Sequence, residues 1–419
     1  MRIRIAVVAA AVTVAVVAGA VAVTTDFGLG GPPALDVRWT SDTATSVGAN
    51  HHAAVAGAVG GGEGLVFAPV SGAGGSDECR LVALDAATGE RRWHDPIPPA
   101  NCTLHSVADP ALGDFDGDGE REVLAGSTTE ELVAYDPTTG TVEARFPLDA
   151  YGYTRPAVAD LAGDGTPEAL VVDSGGTVFA FHAGADGPAW RRSLDGNAYA
   201  PPGAADFTGD GTDEFAVGLG TGRVVLFDAG GDVVWERVAF GGSVSWTATA
   251  DVAGDDAAEF VIATTDGTVA ALDGRTGEPV WTRALDEYAA VRAVADGDDD
   301  GHPEVYVTAR DQRLRALDGA TGDTDWTVEL AAGDAQMTPP PAVGDVDGDG
   351  RLDVVAVTNG GTVVVVDAAE GHVTGTYERD TAVFAHPTVA DTDGDGDDEV
   401  FVVYGDGVVV SVDGGGAEP

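Results

Sequence analysis

Short carboxylate-rich loops recur along the chain with a spacing that suits a hard cation. Aspartate occupies loop positions 1, 3 and 5, glycine occupies position 6, and an acid occupies position 9. Such loops can curl so that their acids converge, and calcium takes about six to eight oxygen ligands. Four loops carry the full pattern: Asp114, Asp116, Asp118 and Glu122; Asp296, Asp298, Asp300 and Glu304; Asp345, Asp347, Asp349 and Asp353; and Asp391, Asp393, Asp395 and Glu399. We therefore predict several bound calcium ions. Magnesium is second choice because it demands stricter octahedral geometry.

Three further loops depart from this pattern. Weaker candidate ligands are Asp160, Asp164 and Glu168 in one loop, and Asp206, Thr208, Asp210 and Glu214 in the next. The loop that begins at Asp251 has Ala253 at position 3 and Asp256 in place of the glycine, so it is the least expected to hold metal. Solvated acidic turns in an acidic protein are the alternative interpretation of all these loops.

The loops mark a long internal repeat. The first aspartate recurs at positions 114, 160, 206, 251, 296, 345 and 391, which gives a period of 45 to 49 residues. One unit shows four short strands: the first ends at 342–343, and the others run over 354–358, 362–366 and 373–377, with Asn359-Gly360-Gly361 as a hairpin turn. The runs are too short and too β-branched for helices. This period and strand length predict an all-β fold, a β-propeller.

The ends of the chain bear on the number of blades. The last unit has only three strands, and residues 34–40 supply a lone strand that can join it and close the ring. We predict eight four-stranded blades, with seven as the second choice if the unit around His51 to Trp93 is degenerate. In that unit Gly60 to Gly64 replaces the acidic loop, so no metal is expected there. Tryptophans of the fourth strands are expected to pack between blades: Trp93, Trp190, Trp235, Trp281 and Trp326.

Composition restricts the solvent and the partners. The formal net charge is −49 among 419 residues, and all 21 basic residues are arginine. Molar salt would screen the resulting self-repulsion, and such a composition resembles that of proteins from salt-loving archaea. The charge argues against nucleic acid and anionic lipid surfaces as partners.

The N-terminus carries a targeting signal. Arg2 and Arg4 precede an apolar run from Ile5 to Val23. This pattern fits a cleaved signal peptide and a retained membrane anchor equally well, and either sends the rest of the chain out of the cell. We assign residues 1–26 to this segment, 27–33 to a linker, 34–413 to the propeller and 414–419 to a tail. The segment is the only expected contact with the membrane.

Two further groups of residues have candidate roles. Residues expected just before the first strands line the channel on the face opposite the acidic loops: His51, His52, His105, Arg155, Tyr199, Trp246, Arg292, Phe384 and His386. They form either a pocket for a ligand or transition metal, or a scattered set with no common ligand. Cys79 and Cys102 are either a disulfide at one edge of a hairpin or two free thiols.

Two family resemblances follow from these motifs. The Asp-x-Asp-x-Asp-Gly-x-x-Glu loops resemble the FG-GAP/VCBS calcium-binding propeller repeats. The segments Ala83 to Trp93, Ala271 to Trp281 and Ala316 to Trp326 resemble the PQQ-like repeat, with its Ala-x-Asp-x-x-Thr-Gly-x-x-x-Trp pattern. Together the resemblances cover roughly residues 35–413 and imply a calcium-stabilised propeller.

These resemblances leave two functions open. The first is a monomeric, non-enzymatic extracellular module that binds or scaffolds a protein or glycan at the cell surface. The alternative is a quinone-dependent dehydrogenase that uses the central channel. Enzymes of that kind place adjacent cysteines beside the quinone, whereas the two cysteines here are far apart in the sequence.

Overall fold

The chain folds into eight four-stranded antiparallel sheets. The computed structural model describes residues 32–413 except 239, 286 and 332–334. Within this part, 32 strands are numbered in chain order, and the inner strands of successive sheets contact one another from the first sheet to the eighth and back to the first. The predicted eight-bladed propeller is therefore confirmed. The predicted segment 1–26, the linker residues 27–31 and the tail 414–419 lie outside the described residues.

The strands of the first four blades follow the chain. Blade one consists of β2 Val55–Val59, β3 Glu63–Val70, β4 Arg80–Asp85 and β5 Arg91–Pro96. Blade two consists of β6 Ala111–Gly113, β7 Glu122–Gly126, β8 Glu131–Tyr135 and β9 Val142–Pro147. Blade three consists of β10 Ala157–Ala159, β11 Glu168–Val172, β12 Thr177–His182 and β13 Trp190–Ser193. Blade four consists of β14 Gly203–Ala205, β15 Glu214–Gly218, β16 Arg223–Phe227 and β17 Val233–Val238.

The remaining blades repeat this order until the last. Blade five consists of β18 Val244–Ala250, β19 Glu259–Thr264, β20 Thr268–Leu272 and β21 Pro279–Ala284. Blade six consists of β22 Ala289–Ala295, β23 Glu304–Ala309, β24 Arg313–Asp318 and β25 Thr324–Glu329. Blade seven consists of β26 Ala342–Gly344, β27 Asp353–Val357, β28 Thr362–Asp367 and β29 Val373–Glu378. Blade eight consists of β30 Thr388–Ala390, β31 Glu399–Val403, β32 Val409–Val412 and β1 Val37–Thr40.

Blade eight closes the ring with strands from both ends of the propeller. Strand β1 pairs antiparallel with β32, so that Val37 lies opposite Val412 and Thr40 opposite Val410. This pairing covers the edge that β32 would otherwise expose. The sequence prediction that residues 34–40 complete the last blade is confirmed.

The second and third strands of the blades are almost wholly buried, because adjacent sheets pack face to face and cover both of their surfaces. Strand β27 is buried at every position, and β28 at all four of its central valines. Eight apolar clusters hold neighbouring blades together; one joins Val355 and Val365 of blade seven to Val400 and Val410 of blade eight. This packing explains why these strands read as continuous apolar runs in the sequence.

Tryptophans of the outer strands connect six of the eight blades to the next blade. The indole N–H of Trp281 donates to the carbonyl of Gly319 at 2.6 Å, and its ring lies against Gly322, whose φ of +69° suits glycine. A Cβ at Gly322 would lie 2.7 Å from that ring. The same indole bond occurs from Trp39 to Ala86, Trp93 to Pro137, Trp190 to Ala229, Trp235 to Gly274 and Trp326 to Ala368. The predicted interblade role of the tryptophans is confirmed.

The strand order sets the two faces of the ring. Each inner strand begins after the connection from the preceding blade and, in blades two to eight, ends at an acidic loop. The residues that precede the inner strands and the acidic loops therefore lie on opposite faces of the ring. In blade one a short 3₁₀ turn, Gly60–Gly62, stands in the acidic loop's place. Among the described residues, no helix has the length and apolarity needed to cross a bilayer.

Candidate functional site

The first aspartate organises the backbone of each acidic loop. Asp114 accepts the N–H of Gly117 at 2.8 Å and that of Gly119 at 3.0 Å, so the loop curls around this carboxylate. Asp206 and Asp345 accept the corresponding bonds in their own loops. The position-6 residue takes a positive φ, about +83° to +97° at the glycines and +67° at Asp256. The sequence pattern therefore reflects a backbone conformation as well as a ligand set.

The position-9 acid opens the second strand of its blade and is buried. Glu122 accepts the N–H of Phe115 at 2.7 Å, and Glu259 accepts those of Val252 and Ala253, both at 2.9 Å. The bond to the residue after the first aspartate recurs at Glu168, Glu214, Glu304 and Glu399. Because the Asp251 loop keeps it without an acid at position 3, this acid supports the loop whether or not metal binds.

Burial perturbs these acids. It raises the pKa of Glu122, Glu259, Glu304 and Asp353 to about 7, and it raises the pKa of Glu168 and Glu214 as well. In all six of these loops, the negative charges of neighbouring aspartates add to the rise. A divalent cation would offset this repulsion by supplying the opposite charge.

Five of the seven acidic loops bring three carboxylates together. In each, one oxygen per residue lies within 4.8 Å of the others, which is close enough to share one ion. The groups are Asp114, Asp116 and Glu122; Asp206, Asp210 and Glu214; Asp296, Asp298 and Asp300; Asp345, Asp347 and Asp353; and Asp391, Asp393 and Asp395. All four full-pattern loops and one weaker loop are included, while the loops at Asp160 and Asp251 are not. The donors are hard carboxylate oxygens, which fit calcium.

Some predicted ligands point to other partners. Arg38 donates to Glu399 at 2.8 Å, and Arg351 donates to Asp349 at 2.7 Å. Thr208 donates its hydroxyl to Glu214 at 3.0 Å. Asp118 and Glu304 also lie outside the three-carboxylate groups. The spacing alone does not reveal the arginine contacts of Glu399 and Asp349.

A cluster of histidines and one carboxylate lies on the opposite face. Asp109 accepts the Nδ1–H of His52 and the N–H of Ala53, both at 2.9 Å, and its other oxygen lies 3.5 Å from Nε2 of His386. Burial alone would raise the pKa of Asp109, but the two histidines beside it hold that pKa well below its usual range. Burial lowers the pKa of His105 to about 4, with further lowering by His52.

The histidine rings pack in tilted and edge-on contacts and do not converge on one point. The ring of His105 lies 5.0 Å from that of His51 and 5.6 Å from that of His52. In the described part of the chain, the groups with three ligand atoms within 4.8 Å are all in the acidic loops. Phe384 packs edge-on against His51, and Tyr199 is 41% exposed. The described histidines therefore do not form a preformed ligand set for a transition metal.

Two arginines line the central channel beside this cluster. Arg155 and Arg292 border a cavity of about 600 Å³, together with Asp109 and His386. Arg155 precedes β10, as predicted. Arg292 and Trp246 instead lie inside the inner strands β22 and β18, and both strands carry a register irregularity at that point. The prediction that they precede their strands is wrong, because a bulge lets each strand extend past the residue that faces the channel.

Asp109 is the functional candidate that the sequence reading missed. It stands before Pro110 and the inner strand, as Arg155 stands before Pro156 and His386 before Pro387. A polar residue followed by proline at this position was therefore the signal. It was missed because it is one of 70 acidic residues in the chain.

The two cysteines form a disulfide in blade one. Cys79 lies just before β4, Cys102 follows the 3₁₀ turn Pro99–Asn101, and the bond closes a separation of 23 residues. Both side chains are buried. In the quinone enzymes that the resemblance suggests, the cysteines beside the cofactor are adjacent in sequence. The two cysteines here are not.

The repeat pattern and blade geometry match one known family. The family described as "outer membrane protein assembly factor BamB", a PQQ-like repeat family, matches residues 34–160, 77–242 and 220–418. The chain belongs to this family. No curated protein matches the sequence. The PQQ-like resemblance is thus confirmed. The family description does not mention acidic loops.

Solved structures show how widely this BamB-type fold is shared. BamB from Moraxella catarrhalis is 17% identical over 86% of this chain and 94% of that one, with a TM-score of 0.61. The V. cholerae biofilm matrix protein Bap1 is 15% identical over 92% of both chains, with a TM-score of 0.68. A third, BBS1N in complex with ARL6DN, is 14% identical over 73% of this chain and 90% of that one, with a TM-score of 0.53. At these identities the likeness shows the fold alone.

Proposed function

We propose that this protein is an extracellular, calcium-stabilised propeller that binds a protein partner at the cell surface. The observation that carries the proposal is the convergence of three carboxylates at the same station in five blades. Millimolar calcium outside a cell suits ligand sets of this exposed kind, whose affinities in extracellular modules are about 10⁻⁴ to 10⁻³ M. We propose calcium as a folding device here, and no catalytic activity.

Several features support the extracellular part of this proposal. The disulfide between Cys79 and Cys102 suits an oxidising compartment. The residues before the propeller carry the arginines and apolar run of a secretion signal or anchor. Bap1 is a biofilm matrix protein and BamB is described as an outer membrane assembly factor. The net charge of −49 fits a medium of high salt.

The outer strand of blade four is the surface that best suits a protein partner. Six of the eight large apolar side chains that are exposed in the described chain lie in outer strands, and three of these, Val233, Val234 and Val238, lie in β17. Val238 is 71% exposed. Among the described strands, β17 pairs only with β16, so its other edge can accept a strand from a partner. The relatives BBS1N, solved in complex with ARL6DN, and the assembly factor BamB support a protein partner.

The proposal can be tested by capture from membranes in molar salt. The wild-type protein and a Val142→Glu control, changed on the outer strand of blade two, should recover the same partner in calcium. Val238→Glu should lose it, because a charge on an exposed apolar edge opposes strand addition. Equal recovery by Val238→Glu would overturn the proposed surface. Binding that survives protease treatment of the membranes would contradict a protein partner and favour a glycan.

A further inference from the structure

The channel is lined by two arginine side chains whose positive charges the protein itself does not neutralise. In the described part of the chain, neither Arg155 nor Arg292 has a hydrogen bond or ion pair with another side chain, although both line the channel and are partly buried. Twelve other arginines form ion pairs with acidic side chains, as Arg223 does with Glu236 and Arg379 with Asp406. A guanidinium group that is partly removed from water and has no partner is costly.

Asp109 does not complete the charge balance. It is the carboxylate whose charge acts on both arginines, but its oxygens already accept bonds from His52 and from the N–H of Ala53, and one faces His386. One anion therefore stands against two cations. The histidines beside them add no negative charge. The channel end at Asp109 keeps an excess positive charge in a protein whose net charge is −49.

We infer that the central channel binds a small oxyanion between the guanidinium groups of Arg155 and Arg292. A guanidinium presents a planar fork of N–H donors that matches the two oxygens of a carboxylate or two oxygens of a phosphate. Such a ligand would neutralise the excess charge at this end. The inference is independent of the calcium loops and of the protein partner, since it rests on other residues.

The shape of the channel suits this ligand. The cavity of about 600 Å³ is within the usual range of small-molecule sites, and prolines 156, 201 and 202 form part of its wall. Asp114 and Asp160 border its other end, where they repel an anion. The ligand is therefore held at the arginine end, with its uncharged part directed along the apolar wall.

The test is a calorimetric titration of the purified protein in about 2 M KCl, which screens the surface charge. The probes are malonate for carboxylates and methylphosphonate for tetrahedral oxyanions, each compared with KCl of equal ionic strength. Saturable binding of either probe is expected, and the stronger probe identifies the class. Trp246, whose ring lies 6.2 Å from that of His386, provides a second signal through its fluorescence.

Variants assign the binding to the channel. Arg155→Gln and Arg292→Gln should each weaken binding about tenfold or more, because each removes one charged fork. Arg145→Gln, which removes an exposed arginine paired with Glu131 on blade two, makes the same change in charge and should bind like the wild type. The fluorescence change should disappear in Trp246→Phe.

Three results would overturn the inference. The first is that neither probe binds the wild type saturably. The second is that both channel variants bind the probes as tightly as the wild type does, and the third is that Arg145→Gln weakens binding as much as the channel variants do. Because a partly buried charge without a partner destabilises the fold, the channel variants should unfold at the same or a higher temperature than the wild type when no probe is present. A loss of binding can therefore be distinguished from a loss of folding.

Discussion

The sharpest test of the proposed calcium binding by the acidic loops compares two aspartates at the same loop position. Asp300 accepts the N–H of His302 at 2.8 Å, and Asp164 accepts that of Thr166 at 3.0 Å. Both are exposed, and both loops curl around their first aspartate. Only Asp300 belongs to a three-carboxylate group. Asparagine can accept the same backbone bond but supplies one less charge to an ion.

The size of the effect follows from ligand linkage. For a site with a Kd of about 10⁻⁴ to 10⁻³ M, about 10 mM free calcium stabilises the folded protein by about 1.4 to 2.7 kcal/mol. Asp300→Asn should remove about this much of the calcium-dependent free energy of unfolding. Asp164→Asn should remove none of it. In chelator, Asp300→Asn should be at least as stable as the wild type, because it relieves repulsion among neighbouring carboxylates.

The assay is urea unfolding in molar KCl, with calcium or with chelator, followed by tryptophan fluorescence. The quantity compared is the difference in unfolding free energy between the two conditions. The reasoning is refuted if Asp300→Asn keeps the whole calcium effect, or if Asp164→Asn loses as much as Asp300→Asn. Both variants keep the backbone bond, so a general loss of loop structure cannot produce the expected contrast.

Three further predictions concern the rest of the fold. Glu259 has a pKa of about 7 in the folded protein against an ordinary value of 4.5, so its stabilising contribution is complete below pH 4.5 and is lost as the pH rises through 7. Glu259→Gln should remove about 3 kcal/mol of this pH dependence of the unfolding free energy, measured by urea unfolding in saturating calcium. A pH dependence equal to that of the wild type would contradict the assignment. Replacing Cys79 and Cys102 by alanine should lower the unfolding free energy by about 3 kcal/mol through loop-closure entropy, and reduction of the wild type should match it; equal stability before and after reduction would count against the disulfide. Gly322→Ala should cost about 1 to 3 kcal/mol more than Gly254→Ala, because both have φ +69° but only Gly322 lies against a tryptophan; equal losses in thermal unfolding would show that the ring contact is unimportant.

Sequence reasoning was most successful where the fold repeats. A loop aspartate every 45 to 49 residues predicted the repeat, and the lone strand at 34–40 predicted the closure that β1 and β32 show. In unit seven, the strands predicted at 354–358 and 362–366 are observed as Asp353–Val357 and Thr362–Asp367. Periodic burial explains this accuracy, because each unit repeats the same pattern of inner, middle and outer strands.

The site was predictable only to the extent that it is local. Ligands within one loop, such as Asp345 and Asp347, were found from spacing. Contacts between distant parts of the chain were not: Arg38 reaches Glu399 across 361 residues, and Asp109 meets His386 only because the ring closes. The bulge at Arg292 could not be predicted from the sequence either, because a one-residue irregularity leaves the apolar pattern of the strand intact.

The central claim is that the acidic loops bind calcium when the protein is folded. The most direct measurement is equilibrium dialysis of the purified protein against calcium in molar KCl, with the bound metal counted per chain. The five three-carboxylate groups predict five calcium ions at saturation, falling to four in Asp300→Asn. A protein that binds no calcium, or that binds the same number after this substitution, would contradict the account.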